Sequence, residues 1–322
     1  MSKMVKIIAG LMGGSVSSGS GSVSSPESLR SFLSILQKHR VSELDTARVY
    51  NGGKSEEALG QLPSAQKNFT IATKAPGFMP GSLAYENVIA NCDASLKALK
   101  QDSIDLYYFH GPDRQTPLQE SLRAMDDLHK DGKIKYFGIS NYRADEVEQI
   151  NDICSEEGYI KPTVYQGGFN GLFRGSETRL FPVLRKFGIA FYAYSPLGGG
   201  YFSKTSAQLR QPAEGSRMEQ MKVFQQIYVN ETSLALHDKL QAACEKEGVG
   251  MKEAALRWIM HHSILGEEDG VILGASNGEQ MEENLCACEG GPLSQELVNA
   301  FEETWKVWSD DGKNEGRMVY SV

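Results

Sequence analysis

The sequence predicts an α/β protein with a (β/α)8 TIM barrel, and three observations lead to this prediction. Eight short runs are rich in β-branched and aromatic residues, longer segments with helical periodicity separate them, and most of the short runs are continuously apolar. Such alternation is typical of a parallel sheet with crossover helices, and eight units fit a closed barrel of ~250 residues with insertions. A doubly wound open sheet is the alternative that the alternation alone leaves open.

The predicted strands follow one another along the whole chain. They comprise residues 6–10, 41–46, 69–74, 104–110, 134–140, 162–166, 189–195 and 270–276. Apolar runs without alternation fit strands that are buried on both faces of a parallel sheet. Among the intervening segments, 86–100 and 121–133 show clear helical periodicity.

The unit between the seventh and eighth predicted strands is unusually long. It predicts a long loop at 197–229 followed by helices at 231–247 and 251–262. Inserted loops of this length in a barrel usually cover the active-site end of the strands. The Gly/Ser segment 15–25 predicts a mobile loop after the first strand. Since no interdomain linker is recognisable, residues 1–322 are predicted to form a single domain.

Composition favours a small-molecule partner. The net charge of −8 argues against nucleic acid, and no window approaches the ~20 apolar residues of a membrane span. The N-terminus is a poor secretory signal, so a cytoplasmic location is expected. The five cysteines suggest reduced thiols, and Cys286 and Cys288 have no second cysteine pair and no histidine nearby in the sequence. No metal site is therefore predicted.

Four ionisable residues lie at the ends of three adjacent predicted strands, where a barrel carries its catalytic groups. Asp45 closes the second strand, Tyr50 follows it, Lys74 ends the third strand and His110 ends the fourth.

This combination suits carbonyl reduction. A tyrosine can protonate the developing alkoxide if a cation stabilises its phenolate, which predicts that Lys74 assists Tyr50. Asp45 would keep a buried ammonium charged, and a neutral His110 would donate a hydrogen bond to the carbonyl oxygen. Taken singly, each residue also fits a structural role, and an Asp–Lys–His group could instead hold a metal in a hydrolase. The strand ends offer few metal ligands besides His110 and Asp45, which disfavours that alternative.

Two glycine-rich loops are candidates for binding a nucleotide phosphate. Ser195–Gly200 follows the seventh strand and Gly274–Asn277 follows the eighth, and these two loops build the phosphate site of many barrels. Gly19–Ser24 nearly matches a dinucleotide fingerprint but lacks its third glycine, so it is read as a chance match. Tyr194 is positioned either to stack on a nicotinamide ring or to join the core.

Several of these stretches together resemble the aldo-keto reductases over nearly the whole chain. They are LDTARVYNGGKSEEALG at 44–60, ATK at 72–74, YYFHGPD at 107–113, GISNY at 138–142, YQGGFN at 165–170, AYSPLGGG at 193–200 and VILGASNGEQMEENL at 271–285. The resemblance is closest to the aflatoxin-aldehyde (succinic semialdehyde) reductase subgroup. It implies hydride transfer from NADPH to an aldehyde or ketone, without metal or flavin.

The resemblance also assigns roles to individual residues. Asp45, Tyr50, Lys74 and His110 fall on the catalytic tetrad of the family. By the same resemblance, the nicotinamide carboxamide contacts Ser140, Asn141 and Gln166, and the nicotinamide ring contacts Tyr194. The pyrophosphate contacts the loop with Ser195, Pro196, Leu197 and Gly199, and the adenine contacts Glu283 and Asn284.

The sequence departs from the family pattern where the cofactor 2′-phosphate is expected. Gly274 and Gln280 occupy the positions of two basic residues, in the loop that also carries Ser276. The basic residues that could replace them lie in the long loop and are Lys204, Arg210 and Arg217. These residues are predicted to contact the cofactor, and the alternative for each is a solvated loop charge.

Two further arginines are candidate substrate contacts. Arg48 lies between Asp45 and Tyr50, where relatives are apolar, and Arg317 lies near the C-terminus. His110 would contact the substrate as well. The subgroup often forms dimers, so a homodimer is a possible assembly by resemblance. A nucleotide-binding interaction module similar to the potassium-channel β subunit remains the alternative function.

Overall fold

The predicted barrel is confirmed. A computed structural model describes residues 5–12 and 26–311, and within them eight parallel strands close into a barrel in the order β1 to β8, with β8 paired to β1. The strands are β1 Lys6–Gly10, β2 Glu43–Asp45, β3 Thr70–Ala75, β4 Ile104–Phe109, β5 Ile134–Ser140, β6 Pro162–Gly168, β7 Ala190–Tyr194 and β8 Gly270–Gly274. Several predicted ends shift: β2, β4 and β7 end one residue earlier, β3 one residue later, β6 two residues later and β8 two residues earlier than predicted. In consequence β3 continues past Lys74, and β4 ends just before His110.

Helices surround the barrel in the described part of the chain. They are α1 Pro26–Lys38, α2 Lys54–Gly60, α3 Pro63–Asn68, α4 Tyr85–Leu99, α5 Leu118–Lys130, α6 Ala144–Glu157, α7 Ser176–Phe187, α8 Ser206–Arg210, α9 Arg217–Gln220, α10 Lys222–Tyr228, α11 Glu231–Lys246, α12 Met251–His261, α13 Gly278–Cys288 and α14 Gln295–Asp310. Short 3-10 helices occupy Tyr50–Gly53 and Gly198–Ser203. No helix among the described residues has both the length and the apolar character to cross a bilayer.

The barrel interior is filled with side chains and forms the floor of the site. Ile8, Leu106, Tyr108 and Ile272 belong to one buried cluster inside the barrel. A methyl group on Gly138 would lie 2.4 Å from the ring of Tyr108, so glycine leaves the space that this ring fills. Since a filled barrel is not a channel, chemistry is restricted to its open mouth.

The segment after β7 differs from its prediction. Residues 197–229 were expected to be a long loop, but most of them form the second 3-10 helix and the short helices α8, α9 and α10. Phe224 and Tyr228 of α10 pack on the glycine-rich turn: Gly199 has a φ of 64°, and a methyl group there would lie 2.4 Å from the ring of Phe224. Buried aromatic packing therefore fixes the path of the turn. The predicted mobile loop 15–25 and Gly19–Ser24 lie outside the described residues.

Candidate active site

Three strand ends bring the predicted catalytic residues together. Lys74 Nζ donates hydrogen bonds to Asp45 Oδ1 at 2.6 Å and to the carbonyl oxygen of Thr46 at 2.7 Å. The same ammonium lies 5.1 Å from the centroid of the Tyr50 ring. Parallel neighbours β2 and β3 end at the same edge of the sheet, which is why residues far apart in sequence meet here.

The charges of this group suit proton donation. Burial by itself lowers the pKa of Lys74, but the charges of Asp45 and Tyr50 outweigh it and hold this pKa above its ordinary value. Desolvation raises the pKa of Tyr50, and the Lys74 ammonium acts in the opposite direction. Tyr50 is therefore protonated at neutral pH and lies beside a charged ammonium that would stabilise its phenolate.

His110 is neutral at physiological pH. Desolvation, assisted by the nearby Lys74 charge, lowers the pKa of His110 to about 3. Its ring meets that of Tyr50 edge-on, with the centroids 5.7 Å apart. A neutral imidazole still has one N–H, so it can donate to a carbonyl oxygen placed between His110 and Tyr50.

The residues predicted to bind the nicotinamide carboxamide lie at the adjoining strand ends. Gln166 Nε2 donates a hydrogen bond of 2.8 Å to Asp45 Oδ2, which links β6 to the predicted catalytic residues. Asn141 Nδ2 donates to the carbonyl oxygen of His110 and to Ser140 Oγ, each at 2.9 Å, and Tyr194 Oη donates to Asn141 Oδ1 at 2.9 Å. Asn141 has a φ of 64°, a conformation that non-glycine residues adopt rarely and mostly at functional sites.

Ser195 begins the glycine-rich turn in the same unusual conformation, with a φ of 56°. Its carbonyl oxygen accepts a hydrogen bond of 2.9 Å from Asn170 Nδ2, and this amide also donates to Tyr228 Oη. Asn170 therefore joins β6, the turn and α10. The sequence reasoning did not assign it a role, although the motif YQGGFN that contains it was recognised.

Hydrogen bonds with the first residues of α13 hold the loop after β8. Asn277 Oδ1 accepts from the backbone N–H of Gln280, and Gln280 Oε1 accepts from the N–H of Ser276. Asn284 is buried and its amide lies 3.4 Å from the carbonyl oxygen of Gly274. Glu283 forms an ion pair with Lys252, a residue that the sequence reasoning missed.

Lys204 and Arg210, two basic residues of the segment between β7 and β8, differ in what they contact. A methyl group on Gly200 would lie 3.7 Å from Lys204 Nζ, so this ammonium lies at the glycine-rich turn. Lys204 and Lys252 line the same cavity of about 340 Å³. Arg210 is exposed, and its guanidinium is engaged by Glu231 at 3.1 Å.

Arg217 begins α9 and lies close to Tyr50. Its guanidinium contacts Met12 after β1, and its positive charge lowers the pKa of Tyr50. Desolvation lowers the pKa of Arg217 itself, and within residues 5–12 and 26–311 no carboxylate forms an ion pair with it. The side chain therefore lies within electrostatic reach of Tyr50, and its predicted contact with the cofactor phosphate stays a prediction.

Arg48 lies beside a buried carboxylate. Its guanidinium forms an ion pair with Glu56, a fully buried carboxylate that also accepts a hydrogen bond of 2.6 Å from Thr73 Oγ1. A methyl group on Gly53 would collide with the Arg48 guanidinium. Glu56 thus links Arg48 and β3 to α2, and the predicted contact of Arg48 with a substrate stays a prediction. Arg317 lies outside the described residues.

The mouth also carries exposed apolar side chains. Met12, Val49, Phe78 and Met79 are between 41% and 67% exposed. Phe78 packs on His110, with the centroids 6.1 Å apart, and has a φ of 70°. Exposed apolar side chains therefore surround this end of the barrel, and the Arg217 guanidinium lies within electrostatic reach of Tyr50.

A closed α/β barrel with these groups at its mouth is typical of enzymes that reduce carbonyl compounds. The model of the Aldo/keto reductase family matches residues 6–306, and the chain belongs to this family. It is therefore an oxidoreductase, and the family generally uses a nicotinamide cofactor. The expected membership is confirmed.

Curated relatives agree with this assignment. The chain is 41% identical over 285 residues to an aldo-keto reductase of Pseudocercospora fijiensis (strain CIRAD86), covering 85% of this chain and 96% of the relative. It is 41% identical to the oxidoreductase sirO of Leptosphaeria maculans, covering 88% and 87% of the two chains. It is 39% identical to aflatoxin B1 aldehyde reductase member 4 of Homo sapiens, covering 84% and 87%.

Proposed function

We propose that this protein reduces aldehydes to alcohols with NADPH as the hydride donor and Tyr50 as the proton donor. The observation that carries the proposal is the contact of a buried, charged Lys74 with both Asp45 and the ring of Tyr50. Such a cation favours release of the phenolic proton at the moment when the carbonyl oxygen becomes an alkoxide. His110 would orient this oxygen through its imidazole N–H.

The residues at the mouth fit a nicotinamide nucleotide. The nicotinamide supplies the hydride when it is bound. The amide groups of Asn141 and Gln166, with Ser140, offer the donors and acceptors that a carboxamide needs, and Tyr194 offers a ring face beside them. The turn from Ser195 to Gly200 and the loop from Gly274 to Asn284 would hold the pyrophosphate and the adenosine. A pure binding module would not require the complete proton-donating group, which favours an enzyme over that alternative.

The direct test measures the oxidation of NADPH, as the loss of its absorbance, in the presence of each of several carbonyl compounds. The panel contains 2-nitrobenzaldehyde, succinic semialdehyde, methylglyoxal and 9,10-phenanthrenequinone, and NADH is tested in parallel. Aldehyde-dependent oxidation of NADPH supports the proposal. Tight NADPH binding without turnover of any aldehyde would support the interaction module instead.

Lys204 is the proposed reader of the 2′-phosphate. Its ammonium lies at the glycine-rich turn and lines the cavity that also contains Lys252, the ion-pair partner of Glu283. We expect Lys204→Gln to weaken NADPH binding about 10–100-fold, since a charged hydrogen bond is worth about 1.5–3 kcal/mol, and to leave NADH binding unchanged. Fluorescence titration with both nucleotides measures this, with Arg210→Gln as the control. Equal losses for the two nucleotides would exclude Lys204 from this role.

Arg217 is the proposed site for an anionic group of the substrate. Its guanidinium lies within electrostatic reach of Tyr50, and no carboxylate among the described residues pairs with it. It could therefore bind a carboxylate on the aldehyde. We expect Arg217→Met to raise the KM for 4-carboxybenzaldehyde by about 10–100-fold, the range for loss of a charged hydrogen-bonded contact, and to leave the KM for the nearly isosteric, neutral 4-nitrobenzaldehyde almost unchanged. Steady-state kinetics with the two aldehydes measures the difference. A similar change for both would show that Arg217 does not bind the substrate anion.

A further inference from the structure

Helices α1 and α13 bring together a histidine, a cysteine and a glutamate on the outer surface of the barrel. One imidazole nitrogen of His39, Sγ of Cys286 and a carboxylate oxygen of Glu282 all lie within 4.8 Å of one another. His39 follows the end of α1, whereas Glu282 and Cys286 are four residues apart and share one face of α13. No residue of this cluster belongs to the catalytic group.

The histidine of the cluster is oriented as a metal ligand would be. The side chain of His39 is only 7% exposed, and its Nδ1 lies 2.7 Å from Glu289 Oε1. Its Nε2 is buried and makes no hydrogen bond of acceptable geometry, although Glu282 Oε1 lies 3.1 Å away. In metal sites a carboxylate commonly accepts the second N–H of a ligating histidine, and Glu289 occupies this position.

We propose that His39 Nε2, Cys286 Sγ and Glu282 bind a zinc ion, with Glu289 orienting the histidine. Zinc takes nitrogen, sulfur and oxygen ligands at about 2.0–2.3 Å in a tetrahedron, so its ligand atoms are separated by about 3.3–3.8 Å. His39 Nε2 and Glu282 Oε1 are 3.1 Å apart, and all three ligand atoms lie within 4.8 Å of one another. Rotation of the exposed Cys286 and of the partly exposed Glu282 would bring them to the zinc spacing. A water molecule would supply the fourth ligand.

The charges of the cluster are consistent with a divalent cation. A thiolate at Cys286 and the carboxylate of Glu282 together neutralise one zinc ion. Lys38, whose side chain is 68% exposed, now pairs with Glu282 and contributes a positive charge at this place. Its long, exposed side chain can leave without breaking any buried contact, so the lysine would compete with the metal but not exclude it.

The cysteine pair of α13 has no histidine nearby in the sequence, but His39 lies close to Cys286 in space. Cys288 is buried and is not part of the cluster, whereas Cys286 is the one exposed cysteine of the five. The histidine comes from a helix almost the whole length of the chain away in sequence. The site does not rest on the proposed reduction of aldehydes.

The test uses cobalt as a spectroscopic substitute for zinc. Metal-free, reduced protein is titrated with Co²⁺, and the thiolate-to-cobalt charge-transfer band in the near ultraviolet is recorded; zinc is then added in competition. We expect one equivalent of Co²⁺ to produce the band and one equivalent of Zn²⁺ to abolish it. Bound zinc should also protect Cys286 from alkylation by iodoacetamide.

Matched variants identify the ligands. Cys286→Ser and His39→Gln should remove the band. Glu289→Gln should weaken Co²⁺ binding at least about tenfold, as the loss of an outer carboxylate does. Lys38→Met should strengthen Co²⁺ binding. Cys288→Ala, which alters the buried neighbour, should leave the band unchanged. The proposal is overturned if no band forms, or if the band persists in both Cys286→Ser and His39→Gln. Because Cys286 is exposed, its substitution tests the site even if the change at His39 affects folding.

Discussion

Replacement of Tyr50 by phenylalanine is expected to reduce kcat for aldehyde reduction by about 10²–10⁴-fold, the range that a positioned general acid supplies. The substitution removes the phenolic proton and leaves the ring, which faces His110 at 5.7 Å between centroids, in place. The residues proposed to bind the cofactor are not altered. The dissociation constant of NADPH, measured by quenching of protein fluorescence, should therefore remain unchanged.

Tyr107→Phe is the matched control for this experiment. Tyr107 lies on β4 and is fully buried, and its hydroxyl has no hydrogen-bond partner among the described residues. Loss of an unpartnered hydroxyl costs no hydrogen bond, so this variant should retain wild-type turnover and stability. Wild-type turnover in Tyr50→Phe would refute the assignment of Tyr50 as the proton donor.

The barrel was predictable because its signal is local and repeated. Each strand is a short apolar run, each crossover helix has its own periodicity, and the strand order follows from the chain order in a (β/α)8 barrel. The meeting of the proposed catalytic residues at one place was predictable for the same reason. Once Asp45, Lys74 and His110 are assigned to the ends of neighbouring parallel strands, their convergence at one mouth follows without any knowledge of side-chain packing.

The features that the sequence did not predict concern residues whose positions depend on distant packing. Arg217 lies on a segment whose path is fixed by aromatic side chains of α10 on the glycine-rich turn, and no local pattern shows that it ends near Tyr50. Arg48 pairs with Glu56 of α2, a fully buried carboxylate, and no local sequence pattern indicates this partner. His39 and Cys286 meet only because α1 packs against α13.

Lys74→Met is expected to impair both catalysis and stability. The lysine is fully buried and its ammonium bonds to Asp45, which is only 2% exposed, so its loss leaves a buried carboxylate with Gln166 as its remaining hydrogen-bond partner. Removal of one member of a buried ion pair costs about 3–5 kcal/mol of unfolding free energy. Turnover should fall as well, because no cation remains to stabilise the phenolate of Tyr50.

A second substitution separates the two effects. Asp45→Asn combined with Lys74→Met removes the uncompensated charge, so the double variant should recover most of the lost unfolding free energy in urea denaturation but none of the turnover. Lys6→Met is the matched control, since Lys6 pairs with Glu43 at 3.6 Å in a partly exposed position and should contribute only about 0–1 kcal/mol. If the double variant regained activity, Lys74 would serve only the architecture of the barrel mouth. If Lys74→Met were as stable and as active as the wild-type protein, the buried ion pair would have neither role.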